Sequence, residues 1–197
     1  MSTTKFDNLL RFVDLLNRYR AVQRKVFANF EDRLENDVEH SYQLAMLAWY
    51  LADSEKLLLD TNLLLKYALV HDFVEVYAGD TFAFANRDAK QKKIEKEREA
   101  LKRLKEEFPE FTELHELIHQ FEEKKDAESR FIYALDKLQP TLNIYADNGR
   151  SWRHNGITRE MIINYNRDKI AEIPELKKYF EELISLIKER ERELFNT

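Results

Sequence analysis

Asp60-Thr-Asn-Leu-Leu-Leu-Lys-Tyr-Ala-Leu-Val-His-Asp-Phe-Val-Glu-Val-Tyr-Ala-Gly79 opens on a capping residue and closes on a glycine, with no breaker between them. Asp60 or Thr61 is a good N-cap and Gly79 a good stop, so the spacing predicts one helix across the stretch. At about 100° per residue, Leu64, Leu65 and Ala68 share an arc of roughly 100° that His71, Asp72 and Glu75 occupy two turns later. The stripe that should meet a hydrophobic core therefore turns into a His, Asp, Glu cluster.

The chain around it is written in the same style. Its 197 residues include 3 Gly and 3 Pro, together about 3 per cent against roughly 12 per cent in average usage. Sandwiches, barrels and Rossmann sheets spend glycine on turns and are excluded, and each remaining breaker marks a boundary. The pattern predicts a first helix from about Lys5 to Val26, carrying Leu9, Leu10, Val13 and Leu16, and a polar link from Asn29 to Asn36. A second helix, capped by Asn36 or Asp37, aligns Leu44, Leu47, Ala48 and Leu51. Asp88 to Phe108 is helical and so charged that its charges read as a solvated face. Helices over 110–125 and 127–145, a loop between Gly149 and Gly156 that packs Trp152, and helices over 158–170 and 174–194 complete an all-α bundle. No repeat or linker divides it, so residues 1–197 read as a single domain large enough to bury its own core.

Composition narrows the function. Charged residues at 35% beside 44% hydrophobic, with 13 Phe and 9 Tyr, describe a folded soluble protein. The absence of cysteine excludes disulfides, thiolate zinc and a cysteine nucleophile. The first ten residues lack the apolar core of an export signal, and the longest apolar run, Ala45 to Ala52, falls far short of the roughly 20 residues of a membrane span. A cytoplasmic protein with no membrane partner is expected. With 32 basic and 37 acidic residues, net charge −5, nothing electrostatic points to a nucleic-acid duplex, and a phosphate ligand should be small.

Two more titratable residues stand where carbon is expected. His40 lies in line with Leu44, Leu47 and Leu51, and Asp136 follows Ile132 and Tyr133 on the inner side of its helix. A buried carboxylate costs several kcal/mol unless neutralised. Two carboxylates with two imidazoles make a divalent metal an economical neutraliser, with positions left for water. The plainer alternative is that each His is a hydrogen-bonded core residue and each Asp a buried cap. His115-Glu-Leu-Ile-His119 also matches the zinc-binding HExxH pattern. Those two His lie on the flank of the Leu114, Leu117, Ile118, Phe121 stripe and have no third ligand nearby, so they read as a solvated helix face.

His40, the pair His71-Asp72 and Asp136 together resemble the H…HD…D signature of HD-domain metal-dependent phosphohydrolases. Arg33-Leu-Glu-Asn-Asp-Val-Glu-His-Ser41, His71-Asp-Phe-Val-Glu75, Gly79-Asp80 and Asp136-Lys-Leu138 resemble, in order, the blocks of the YfbR-like 5'-deoxynucleotidase branch. Leu15-Leu-Asn-Arg-Tyr19 is similar to the branch's amino-terminal block, with Tyr19 where the branch has Trp and extra residues between Arg18 and Arg33. The likeness runs from the first helix to about Asp136.

The resemblance implies a helical HD-type domain, a homo-oligomer, and hydrolysis of a small phosphomonoester, most specifically a (deoxy)nucleoside 5'-monophosphate, by attack of a metal-bound water. It implies His40, His71, Asp72 and Asp136 as ligands of one divalent ion, with Mn, Co, Fe, Ni, Mg and Zn all suited to mixed N and O donors. Glu75 would orient or deprotonate the water, Asp80 would protonate the leaving alkoxide or hold the sugar, and Arg18 or Arg33 would hold phosphate oxygens. Lys137, about 100° from Asp136 on its helix, reads as a surface charge. Two alternatives stay open: hydrolysis of a nucleoside triphosphate or guanosine polyphosphate, and a non-catalytic interaction protein with a vestigial site. The cyclic-dinucleotide class is excluded because no Gly-Tyr-Pro occurs.

Overall fold

Thr4 and Asp7 form a capping box at the start of α1 (Lys5–Arg20). The computed structural model describes residues 4–196. The first helix ends at Arg20, short of the expected Val26. The chain then forms an antiparallel ribbon in which β1 (Gln23–Phe27) pairs with β2 (Leu34–Asn36), with Gln23 opposite Asn36 and Phe27 opposite Leu34. Val22, Val26 and Phe27 favour extended backbone, and exposed Phe30 adopts a left-handed φ of 68° in the turn. The expected polar link is therefore half of a hairpin.

Asn36 caps α2 (Asp37–Ser54), and Glu39 completes the box. Asp60 accepts the N–H groups of Asn62 and Leu63 at the start of α3 (Thr61–Val70). The single helix expected to reach Gly79 is interrupted after Val70. There the backbone bonds close over three residues, Phe73 N–H to Val70 O and Glu75 N–H to Asp72 O, before α4 (Glu75–Ala78) stops at Gly79. This tighter turn carries His71 and Asp72.

A long loop leads to α5 (Arg87–Glu107), α6 (Thr112–Glu123) and α7 (Ala127–Ala146). The stretch between Gly149 and Gly156, expected as a loop, holds the short α8 (Arg150–Asn155), whose buried Trp152 stacks on Phe195. Then come α9 (Arg159–Ile170), α10 (Pro174–Glu189) and α11 (Glu191–Leu194). Gly149 has φ +75°, and a Cβ there would stand 2.3 Å from the Leu194 carbonyl oxygen, so only glycine fits beneath the carboxy-terminal turn.

The buried centre of the bundle is α7, which packs against α2, α3, α6, α9 and α10. Its Phe131, Ile132, Leu135 and Leu138 are buried, each worth ~1.5–3 kcal/mol relative to exposure. Asp136 sits among them. Pro140, one turn on within α7, cannot donate to the Asp136 carbonyl. Among the described residues no helix is long and apolar enough to cross a membrane.

Candidate metal centre

Three elements converge on one point: the first turn of α2 brings His40, the tight turn after α3 brings His71 and Asp72, and the middle of α7 brings Asp136. One ligand atom from each lies within 4.8 Å of the others. His40 Nε2 is 2.9 Å from Asp136 Oδ1 and 3.8 Å from Asp72 Oδ2, while His71 Nε2 is 3.0 Å from Asp72 Oδ2. His71 keeps helical backbone angles, φ −57° and ψ −39°, and its side chain and that of Asp72 converge on the same point, 3.0 Å apart.

The donor set fits a cation. His71 Nδ1 donates to the Ala68 carbonyl at 2.9 Å, which turns the lone pair of a neutral ring's Nε2 toward the two carboxylates and toward His40 Nε2 at 3.2 Å. Burial opposes charge on His71, yet Asp72 and Asp136 raise its pKa to about 10. Burial and the charge on Arg24 lower that of His40 to about 4. Asp136 is held well below the usual carboxylate range against its burial, chiefly by Lys137 and His40. Such a cluster demands positive charge at its centre, from a proton on His71 or from a divalent ion.

Asp72 and Asp136 of the cluster line a cavity of about 130 Å³, together with Glu75, Asp80, Lys25 and three further cations that the sequence pattern did not single out for the site. Arg24, turned inward by the strand, contacts Asp72 Oδ2 and Glu35 Oε2 at 3.3 Å each and lies 3.6 Å from Asp37 Oδ1. Lys93 leaves the charged face of α5 and donates to Glu75 Oε1 at 2.8 Å. Lys137, expected on the surface, bonds Asp136 Oδ2 at 2.5 Å. Glu75 is buried, and its Oε2 has no partner. Burial and the charge on Asp72 raise its pKa to about 9, with Lys93 pulling the other way. Burial also raises Asp80, against Arg24.

Arg18 and Arg33 are not brought to the cavity. Arg18 pairs with Asp14 on the exposed side of α1, and Arg33 spans Glu31 and Glu39 beside the hairpin turn. Tyr19 is buried away from the lining, its hydroxyl 3.0 Å from Ser41 Oγ. His115 donates through Nε2 to the Phe108 carbonyl, and His119 is exposed beside Glu123. Among the described residues those two His form no group with a third ligand.

Buried Glu35 gives the hairpin a pH signature. Burial, only partly offset by Arg24, raises its pKa from 4.5 to about 7. The folded chain keeps this proton where the unfolded chain has released it, so the contribution to stability, about 3 kcal/mol at most, is present below pH 4.5 and lost as pH rises through about 7. Glu35→Gln cannot ionise. Its melting temperature should gain on wild type between pH 5 and pH 8, and an unchanged difference across that range would contradict the assignment.

A helical bundle that gathers two imidazoles and two carboxylates beside a cation-lined cavity is equipped to hold a divalent ion next to an anionic ligand. The model of the HD domain matches residues 16–177. The 5'-deoxynucleotidase HDDC2 of Xenopus laevis is 30% identical over 139 residues, covering 68% of this chain and 67% of that protein. A predicted metal-dependent phosphohydrolase from Magnetospirillum magnetotacticum MS-1 superposes with a TM-score of 0.80 at 28% identity, covering 94% of each chain. The fold alone is shared with an HD-domain phosphohydrolase of Listeria innocua, at TM-score 0.58 and 16% identity over 94% of this chain and 87% of that one. The chain belongs to the HD-domain family, as a metal-dependent phosphohydrolase.

Proposed function

We infer that the chain hydrolyses nucleoside 5'-monophosphates to nucleoside and inorganic phosphate, with the deoxy form preferred. The observation that carries this reading is one cavity lined by the cluster's two carboxylates, Asp72 and Asp136, by Glu75 and Asp80, and by Arg24 and Lys137. The frog relative's name, a 5'-deoxynucleotidase, supplies the sugar preference.

His40, His71, Asp72 and Asp136 would hold a divalent ion, which would supply Lewis-acid chemistry, making a water more acidic and offsetting phosphate charge. Glu75 Oε2, free while Lys93 holds Oε1, accepts the proton of the attacking water as the new O–P bond forms. The bond from phosphorus to the 5' oxygen breaks, and Asp80, kept protonated more readily by its burial, returns a proton to that oxygen. Arg24 and Lys137 hold the phosphate oxygens, a role open to them because they line the cavity while Arg18 and Arg33 do not. A 2'-hydroxyl is rejected where it finds neither room nor a hydrogen-bond partner.

A panel of ribo- and deoxynucleoside mono-, di- and triphosphates, assayed with Mn, Co and Mg, tests the reading. Phosphate release from monophosphates is expected. Release of pyrophosphate or triphosphate with monophosphates untouched would move the chain to another HD chemistry. Light scattering on the same sample tests the homo-oligomer that the family resemblance implies. Its support is one exposed stripe along α2, formed by Val38, Tyr42, Met46, Trp49 and Tyr50. A monomer would exclude it.

A further inference from the structure

The cavity has a second wall that the hydrolytic chemistry leaves unused. The loop between Gly79 and Asn86, which carries Asp80 at its start, turns Phe82 and Phe84 to the lining, where Tyr165 of α9 joins them. Their rings adjoin at a tilt: the Phe82 and Phe84 centroids are 5.5 Å apart with planes at 63°, those of Phe84 and Tyr165 are 5.2 Å apart at 46°, and Lys169 Nζ covers one face of Tyr165. All three are half-buried and keep surface on the cavity. Beside Tyr165, Asn166 also reaches the lining. It is 3% exposed, its Nδ2 is 3.4 Å from Thr141 Oγ1, and its Oδ1 has no partner. A buried amide oxygen left without a donor is costly to the folded chain unless a ligand supplies one.

We propose that this wall, Phe82, Phe84 and Tyr165 with Asn166 at its edge, is a nucleobase subsite that makes the enzyme prefer nucleotides to sugar phosphates. The assignment rests on the nucleotidase reading and adds to it the group that the protein grips outside the phosphate. Aromatic faces stack any base, and an amide at the rim exchanges hydrogen bonds with ring and exocyclic nitrogens. A bare pentose phosphate offers neither a π-face nor those nitrogens. Asn166 also accounts for its own burial here: the base N–H is the donor that its Oδ1 lacks.

Equilibrium binding of unphosphorylated deoxyadenosine to the metal-loaded protein, followed by calorimetry, tests the subsite without any hydrolysis. Saturable binding is expected, weakened about 10-fold by Phe84→Leu and restored by Phe84→Trp. Asn166→Leu should weaken it too while the melting temperature holds or rises, because an unpaired buried acceptor is removed. In kinetics, Phe84→Leu should raise KM for dAMP about 10-fold and leave kcat/KM for 2-deoxyribose 5-phosphate within twofold. Wild type that binds no nucleoside, or Phe84→Leu that lowers both substrates alike, would overturn the subsite. Nucleoside bound through Phe84 by a protein that hydrolyses no phosphomonoester would instead overturn the nucleotidase reading and keep the subsite.

Discussion

Asp72→Ala or His71→Ala is expected to leave the purified protein without its divalent ion and to lower phosphate release by about 1,000-fold or more. Each substitution removes one of four donors that lie within 4.8 Å of one another, and three donors on separate elements hold a divalent ion much less firmly than four. Elemental analysis reads the first effect directly. Thermal unfolding reads it independently: wild type should gain stability with added Mn, by about 2.7 kcal/mol at a hundred times the dissociation constant, and the variants should gain almost nothing. The double substitution His115→Ala, His119→Ala is the control, since His115 serves the Phe108 carbonyl and His119 faces solvent. Loss of metal from that control, with Asp72→Ala still loaded, would invert the assignment of the two His clusters.

The candidate cluster was legible in the sequence because it breaks a rule. His71, Asp72, His40 and Asp136 occupy positions on otherwise apolar helix stripes, and a polar group there needs a reason. Two helix starts were legible because Asn36 and Asp60 are caps whose side chains accept from the first turn. The other helices were placed from apolar spacing between scarce breakers, and their caps Thr4, Asn86, Asp126 and Thr158 are visible only in the fold. What escaped the pattern had no local marker. Neither glycine nor proline stops α1 at Arg20, and the apolar spacing runs on through the tight turn at His71. The cations escaped for a different reason. In a chain with 32 Lys and Arg, Arg24, Lys93 and Lys137 look like any solvated charge until strand, helix and neighbour turn them inward. Arg18 and Arg33 suit a phosphate by order along the chain. The early end of α1 and the hairpin turn leave both facing carboxylates of their own segments.

Glu75→Gln should lower turnover by about 100-fold or more, roughly 3 kcal/mol of transition-state stabilisation, with metal content and melting temperature near wild type. Glutamine has the size of the carboxylic acid and no charge, so the burial that raises Glu75 to about 9 gives no reason for the fold to suffer. What it lacks is a basic oxygen at the position of Oε2, the atom that no protein group engages. Lys93 gives the same idea a second reading. Its ammonium, 2.8 Å from Oε1, favours the ionised carboxylate, so Lys93→Met should raise the pKa of the base further and move the acid limb of the pH–rate profile to higher pH. The direction is fixed by the chemistry, because a base acts only when deprotonated, and a higher pKa postpones that state to higher pH. Metal analysis and turnover must come from one sample of each variant. If Glu75→Gln lost metal along with activity, Glu75 would be a ligand or a structural support; if Lys93→Met moved the acid limb to lower pH, the proton would reside elsewhere.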